Sequence, residues 1–243
     1  MLLGKVFKNI NQKFKSIKFN NIRFNSKDCK PDDIFFAITG NNLNGNNYIN
    51  DAITNGAKVI VSNKNFNGLN KNKILFIKSQ QPRKLLAEVA SNFYYKKPRN
   101  IIGVTGTNGK TSIANFYYQI LNLNNKKVAS IGTLGVKSKK FKLKTNNTSI
   151  DPINIHKILK KLKELKIENV ILEASSHGLK QYRLNNISFN TALFTNLSRD
   201  HLDYHKTFKD YLNSKLILFN KLLNYKGNII YDNKIPQAKK LKF

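Results

Sequence analysis

Ile101-Ile-Gly-Val-Thr-Gly-Thr-Asn-Gly-Lys-Thr-Ser112 decides how the rest of the chain is read. A short apolar run feeds a loop holding Gly103, Gly106 and Gly109, followed by Lys110 and Thr111. Beyond it, Ile113, Phe116, Tyr117, Ile120 and Leu121 recur at helical spacing. The stretch is expected to be strand, phosphate loop and helix. Glycines let backbone N–H groups curl round an oligophosphate, and a helix N-terminus adds partial positive charge. A lysine reaches the outer phosphates and the hydroxyl after it can ligate Mg2+. The spacing G-x-x-x-x-G-K-[ST] is not met in full, because Val104 stands where the first glycine would be.

Upstream, Ile34 to Ile38, Val59 to Ser62 and Ile74 to Ile77 read as strands. Between them lie the turn-rich Thr39–Asn46 segment and a short helix with Tyr48, Ile49, Ala52 and Ile53 on one side, ending near Gly56. Pro82 opens a helix carrying Leu85, Leu86, Val89, Ala90 and Phe93, closed before Pro98. Strands alternating with helices imply an α/β unit. Lys96 to Asn100 reads as a linker.

Downstream, Val128 to Ile131 and Val170-Ile-Leu-Glu173 read as buried strands. Asp151 and Pro152 supply an N-cap and first residue for a helix bearing Ile155, Ile158, Leu159, Leu162 and Leu165. Glu173 falls at a strand's C-terminal end, where ligands gather in open parallel sheets, and a carboxylate there suits Mg2+. A solvated loop carboxylate is the alternative. Thr191 to Thr195 is a further strand, and Asn228 to Tyr231 another. The cluster Asp200, His201, Asp203 and His205 does not have zinc spacing.

Thr207 is expected to cap a helix whose Phe208, Tyr211, Leu212, Lys215, Phe219 and Leu222 share one face. Lys215 thus sits on an apolar stripe. Two outcomes follow: its ammonium snorkels to the surface, or desolvation lowers its pKa and exposes a neutral amine able to take up CO2 as a carbamate.

The length of 243 residues accommodates two domains of ordinary size. Against 13 Asp+Glu stand 43 Lys+Arg, a formal charge of +30. The lysines are scattered through an Asn- and Ile-rich chain rather than massed in a tract, so most are read as solvated faces and not as a nucleic-acid surface. A single cysteine, Cys29, excludes an internal disulfide framework and fits a reducing cytoplasm. No run approaches the ~18 apolar residues of a membrane span, so no membrane partner is expected.

Gly106-Thr-Asn-Gly-Lys-Thr111 resembles the nucleotide loop of the Mur ligase family, ATP-dependent amide-forming enzymes of peptidoglycan synthesis. Three other stretches extend the likeness to the branch that adds the third peptide residue. Around Asn25-Ser26-Lys27, where the family usually has Asp-Ser-Arg, the first unit is similar to a uridine-binding domain. Thr145-Asn-Asn-Thr-Ser149 resembles a muramyl-peptide loop, with Ser149 in place of a threonine. Glu173-Ala-Ser-Ser-His-Gly-Leu-Lys-Gln-Tyr-Arg183 resembles the stretch most characteristic of that branch.

The resemblance implies an α/β fold: a small uridine-binding domain over residues 1–97, then a phosphate-loop, parallel-sheet ATPase domain over 98–243, incomplete and without the family's C-terminal domain. It implies ATP held by Gly106, Thr107, Asn108, Gly109, Lys110, Thr111 and Ser112, with Mg2+ on Thr111, Glu173, His201 and Lys215 as its carbamate. Catalytic roles fall to Lys110, Lys215 and His201. Ser26, Asn147, Thr148, Ser149, Ser175, Gln181 and Arg183 would contact UDP-N-acetylmuramoyl-dipeptide, which receives a diamino acid through an acyl phosphate. The expected state is a monomer, completed by a separate C-terminal half if one exists. A non-catalytic UDP-sugar and nucleotide-binding module is the alternative, and folylpolyglutamate synthesis is disfavoured because it leaves the Ser-Ser-His-Gly-Leu stretch unexplained.

Overall fold

Chain connectivity in the computed structural model, which describes residues 1–40, 43–145 and 148–241, divides into two units, Met1–Phe93 and Tyr94–Phe243. Asn147 lies outside the described residues.

The first unit runs β1 (Ile22–Arg23), β2 (Ile34–Phe36), α1 (Ile49–Thr54), β3 (Val59–Ser62), β4 (Gly68–Leu69), β5 (Leu75–Lys78) and α2 (Pro82–Phe93). Its sheet has the order β1-β2-β3-β5-β4, parallel except for β4. Every residue of β2 and β3 is buried, as expected of parallel strands covered on both faces. Two expectations are corrected. Strand β2 stops at Phe36, because the Ile38 carbonyl turns to accept the Gly45 amide at 3.0 Å and closes a local loop. Tyr48 belongs to a 3-10 turn ahead of α1 and is exposed, while Ile49 and Ala52 are buried.

The second unit runs β6 (Asn100–Thr105), α3 (Lys110–Leu123), β7 (Val128–Gly132), β8 (Gly135–Ser138), β9 (Lys142–Leu143), α4 (Pro152–Glu164), β10 (Asn169–Glu173), α5 (Ser176–Lys180), β11 (Phe189–Phe194), α6 (Leu202–His205), α7 (Phe208–Ile217) and β12 (Leu223–Tyr231). The seven strands lie in the order β12-β11-β6-β10-β7-β8-β9. The first five are parallel; β8 and β9 add an antiparallel edge that the sequence pattern did not announce.

Register fixes where the chemistry can sit. Glu173 pairs with Val104, and Phe194 with Thr105. The ends of β6, β10 and β11 therefore come level at one edge, which delivers the loops after them to the same place.

Helix α4 is capped by Asp151, which accepts the Asn154 amide, and buries Ile155, Ile158, Leu159 and Leu162 in the larger core of this unit. On the opposite side a smaller cluster joins Val104, Ala114 and Ile171. Here the helical spacing of α3 held only in part: Ile113 and Tyr117 pack, partly buried, against this cluster, whereas Phe116 and Ile120 are 59% and 58% exposed and the buried residues are Ala114 and Tyr118. A helix lying close on a sheet favours a small residue at the contact. Helix α7 is capped by Thr207 and buries Tyr211, Leu212 and Lys215, but Phe208 in its first turn is exposed. No described helix is long and apolar enough to cross a membrane.

Candidate functional site

At the end of β6, Gly106 adopts φ +148°, and a Cβ added there would lie 1.8 Å from Thr195 Oγ1. Only glycine allows that approach of the loop to the end of β11. Gly109, at φ +85°, then turns the chain into α3. The loop is braced from the segment after β11: Asn196 accepts the Thr107 amide through its carbonyl and the Asn108 amide through Oδ1, both at 3.0 Å. Thr195 Oγ1 donates to the Asn108 carbonyl at 2.6 Å. Beyond it, the first amides of α3 have no carbonyl one turn back to accept them and face outward at the positive end of the helix.

A cleft of about 270 Å3 opens over this loop. Thr107, Asn108, Gly109, Lys110, Thr111 and Ser112 line it, and so do Thr148, Ser175, His201 and Lys215. Gly106 contributes its carbonyl from beneath, accepting from both Lys110 Nζ at 2.9 Å and Lys215 Nζ at 2.7 Å. Lys110 also donates to the Thr107 carbonyl at 2.7 Å.

Glu173 sits behind the cleft, 2% exposed. Its Oε2 accepts from Thr111 Oγ1 at 2.9 Å and from Thr133 Oγ1 at 3.1 Å, and its Oε1 accepts the Thr133 amide at 3.1 Å. Gly132 makes room for it, since a Cβ there would stand 2.0 Å from Glu173 Oε1. Thr133 also meets the Thr148 hydroxyl at 3.0 Å. Because Thr133 gives its hydrogen to Glu173, Thr148 is the donor in that pair.

Lys215 is 1% exposed, so the snorkelling alternative fails and the amine is buried. Burial, assisted by the neighbouring Lys110 charge and opposed by Asp200, brings its pKa down to about 7. Burial also lowers that of Lys110, with Glu173 and Asp200 opposing. His201 adopts φ +53°, and its amide is held by Asp200 Oδ1 at 2.8 Å. Its ring meets the edge of His177, whose centroid is 4.9 Å away.

The remaining candidates form an adjoining network. Ser149 Oγ lies 2.9 Å from Ser175 Oγ and accepts the Ser175 amide at 3.0 Å. Arg183 Nη1 donates to the Ser149 carbonyl at 2.8 Å, while Gln181 Oε1 accepts from Arg183 Nε and Nη2 at 3.0 and 2.8 Å. Ser26 is buried in the other unit, Met1–Phe93, where its carbonyl accepts from Asn55 Nδ2 at 3.0 Å. Thr133, Ser176 and Tyr211 line the cleft without having been assigned a role from the sequence. A hydroxyl directly after the strand-ending Gly132 was the available sign for Thr133.

Among the described residues there is no group of three or more His, Cys, Asp or Glu placed to hold a metal. What the cleft does offer is an all-oxygen pair, the Thr111 hydroxyl and the Glu173 carboxylate, beside a loop shaped for phosphate. That donor set fits Mg2+, whose remaining ligands are usually water and phosphate.

Residues 104–242 match the family described as Mur ligase middle domain, and residues 18–94 match the one described as Mur ligase family, catalytic domain. The UDP-N-acetylmuramoyl-L-alanyl-D-glutamate--2,6-diaminopimelate ligase of Rickettsia prowazekii is 41% identical over 242 residues, covering 96% of this chain and 49% of its own. The Clostridium tetani protein of the same name is 43% identical, covering 88% and 44%. The chain thus spans about half the length of the curated relatives it matches. A solved structure of a ligase with that name superposes with a TM-score of 0.80 at 26% identity, over 96% of this chain and 47% of the other. The MurF ligase of Thermotoga maritima, solved in complex with ADP, shares the fold at TM-score 0.62 and 20% identity, over 90% and 47%. By both matched domains and by its relatives, this chain belongs to the Mur ligase family.

Proposed function

We propose that the protein serves ATP-dependent amide-bond formation in peptidoglycan precursor synthesis, adding a diamino acid to UDP-N-acetylmuramoyl-L-alanyl-D-glutamate. The observation that carries this is the meeting of Lys110, Thr111, Glu173 and Lys215 at one edge of one sheet. Between meso-diaminopimelate and L-lysine, the names of the relatives favour diaminopimelate.

In this reading the substrate carboxylate attacks the γ-phosphate of ATP, giving an acyl phosphate and ADP. The amine of the diamino acid then displaces phosphate. The loop amides and Lys110 hold the phosphates, and positive charge offsets the repulsion between an attacking carboxylate and a polyanion. Mg2+, when bound, neutralises the phosphate oxygens. Lys215, whose pKa is brought down to about 7, is placed to add CO2: its ammonium gives up one proton to become the neutral amine, the amine nitrogen forms a C–N bond to CO2, and a second proton leaves that nitrogen, so that a cation becomes an anionic carbamate. Ser175 on the cleft, with Ser149, Gln181 and Arg183 in the network adjoining it, is assigned to the acyl substrate, and Ser26 to the UDP-sugar.

A second reading is a UDP-sugar and nucleotide-binding module that does not close the amide bond, resting on the cleft over the phosphate loop and on the two matched domains. Incubation with ATP, Mg2+ and the muramoyl dipeptide, with hydroxylamine as trap, separates the two. Hydroxamate that Lys110→Ala abolishes supports the ligase. Nucleotide binding without hydroxamate supports the module, and neither would overturn both.

A further inference from the structure

Tyr211 is wholly buried on α7, yet its hydroxyl reaches 104 residues back along the chain to lie 3.1 Å from Thr107 Oγ1 in the phosphate loop. Thr107 Oγ1 also accepts the Ser198 amide at 3.0 Å, so this one hydroxyl ties the loop to two other segments. The face of the same tyrosine ring carries Lys215 Nζ, 4.2 Å from its centroid. Lys215 in turn donates to the carbonyl of Gly106, the residue before Thr107. A closed circuit results: Tyr211 hydroxyl to Thr107, Thr107 to Gly106 through the chain, Gly106 to Lys215, and Lys215 back onto the Tyr211 ring.

Within the circuit, the orientation of the Gly106–Thr107 backbone is fixed from α7. That backbone decides where Lys110 rests, because both of its acceptors are the carbonyls of Gly106 and Thr107. We propose that Tyr211 is a positioning residue of the phosphate site: its hydroxyl holds Thr107, and through it sets the loop conformation that receives a nucleotide's outer phosphates. The inference rests on the reading that this loop binds nucleotide phosphate. Tyr211 itself need not touch the ligand.

The test is calorimetric titration of the whole chain with Mg2+–AMPPNP and with Mg2+–tripolyphosphate, for wild type, Tyr211→Phe, Thr107→Val, Thr107→Ser and the Phe/Val double variant. Tyr211→Phe keeps the ring against Lys215 and removes only the hydroxyl. The expected result is a roughly fivefold loss of affinity for both ligands, the worth of about one hydrogen bond. Thr107→Ser should bind like wild type, and the double variant should be no weaker than the weaker single variant within about twofold. Unchanged affinity in Tyr211→Phe, even with a lowered melting temperature, would make the tyrosine merely structural and overturn the inference, as would multiplicative losses in the double variant. Failure of the wild type to bind either ligand would instead overturn the nucleotide reading, and the inference with it.

Discussion

Lys110 and Lys215, 105 positions apart in sequence, donate to the same acceptor: the carbonyl oxygen of Gly106 takes their Nζ atoms at 2.9 and 2.7 Å. Two ammonium groups on one carbonyl repel, and Lys215 is the more deeply buried. Burial first, and the Lys110 charge second, bring its pKa down from 10.5 to about 7.

A pH dependence of stability follows. The folded chain releases the Lys215 proton near pH 7, whereas the unfolded chain keeps it to about 10.5. Between those values the unfolded state binds more protons, so stability rises with pH across the window and is lost as pH falls through 7. Lys97, lowered to about 8 by burial, adds a slope of the same sign. Urea melts of wild type and Lys215→Met at pH 6 and pH 9 isolate the Lys215 part: the difference in stability should move in favour of wild type at the higher pH. A difference that does not change with pH would contradict the buried amine.

The Glu173 carboxylate depends on the absence of a side chain at Gly132. With a Cβ 2.0 Å from Oε1, Gly132→Ala must displace a carboxylate held by Thr111 and Thr133. We expect nucleotide affinity in the presence of Mg2+ to fall at least tenfold, with a smaller loss in EDTA, measured by calorimetry. Equal losses in both would mean that Glu173 has no part in holding the cation.

Packing in the second unit makes a paired prediction. Leu159 is fully buried in the larger core, and Leu159→Ala should cost about 2–5 kcal/mol in a urea melt. Phe116 and Ile120 lie on the helical spacing that the sequence offers as a buried face, but both are more than half exposed. Phe116→Gln and Ile120→Gln should each change stability by no more than about 0.5 kcal/mol.

Those residues also show how far the sequence could be read. Strand β6, the loop and α3 were legible because glycine, lysine and hydroxyl positions serve one chemistry, and the caps at Asp151 and Thr207 because a side-chain acceptor before an apolar run marks a helix start. Spacing to Tyr211 and Phe219 put Lys215 on an apolar stripe but left open whether its ammonium snorkels out, which only its burial decides. The face of α3 that meets the sheet was legible only in part: Ile113 and Tyr117 pack there but Phe116 and Ile120 do not, since apolar residues occupy both sides and the small Ala114 gives little hydrophobic signal. The β8–β9 edge escaped because Lys137, Lys139, Lys140, Lys142 and Lys144 mask its alternation. Thr133 and Tyr211 acquire their roles from contacts 40 and 104 residues away; for Thr133 the one local sign is its place after a strand-ending glycine, and for Tyr211 no local pattern encodes the contact.

We propose that one cleft binds nucleotide phosphates through Lys110 and a magnesium ion through Glu173. Titrating Mg2+–AMPPNP into wild type, Lys110→Ala and Glu173→Gln tests it most directly. Saturable one-to-one binding by wild type is expected, weakened at least tenfold by each substitution, with the Glu173→Gln loss disappearing when Mg2+ is removed. Wild-type binding that neither substitution weakens, or no saturable binding by wild type, would contradict it.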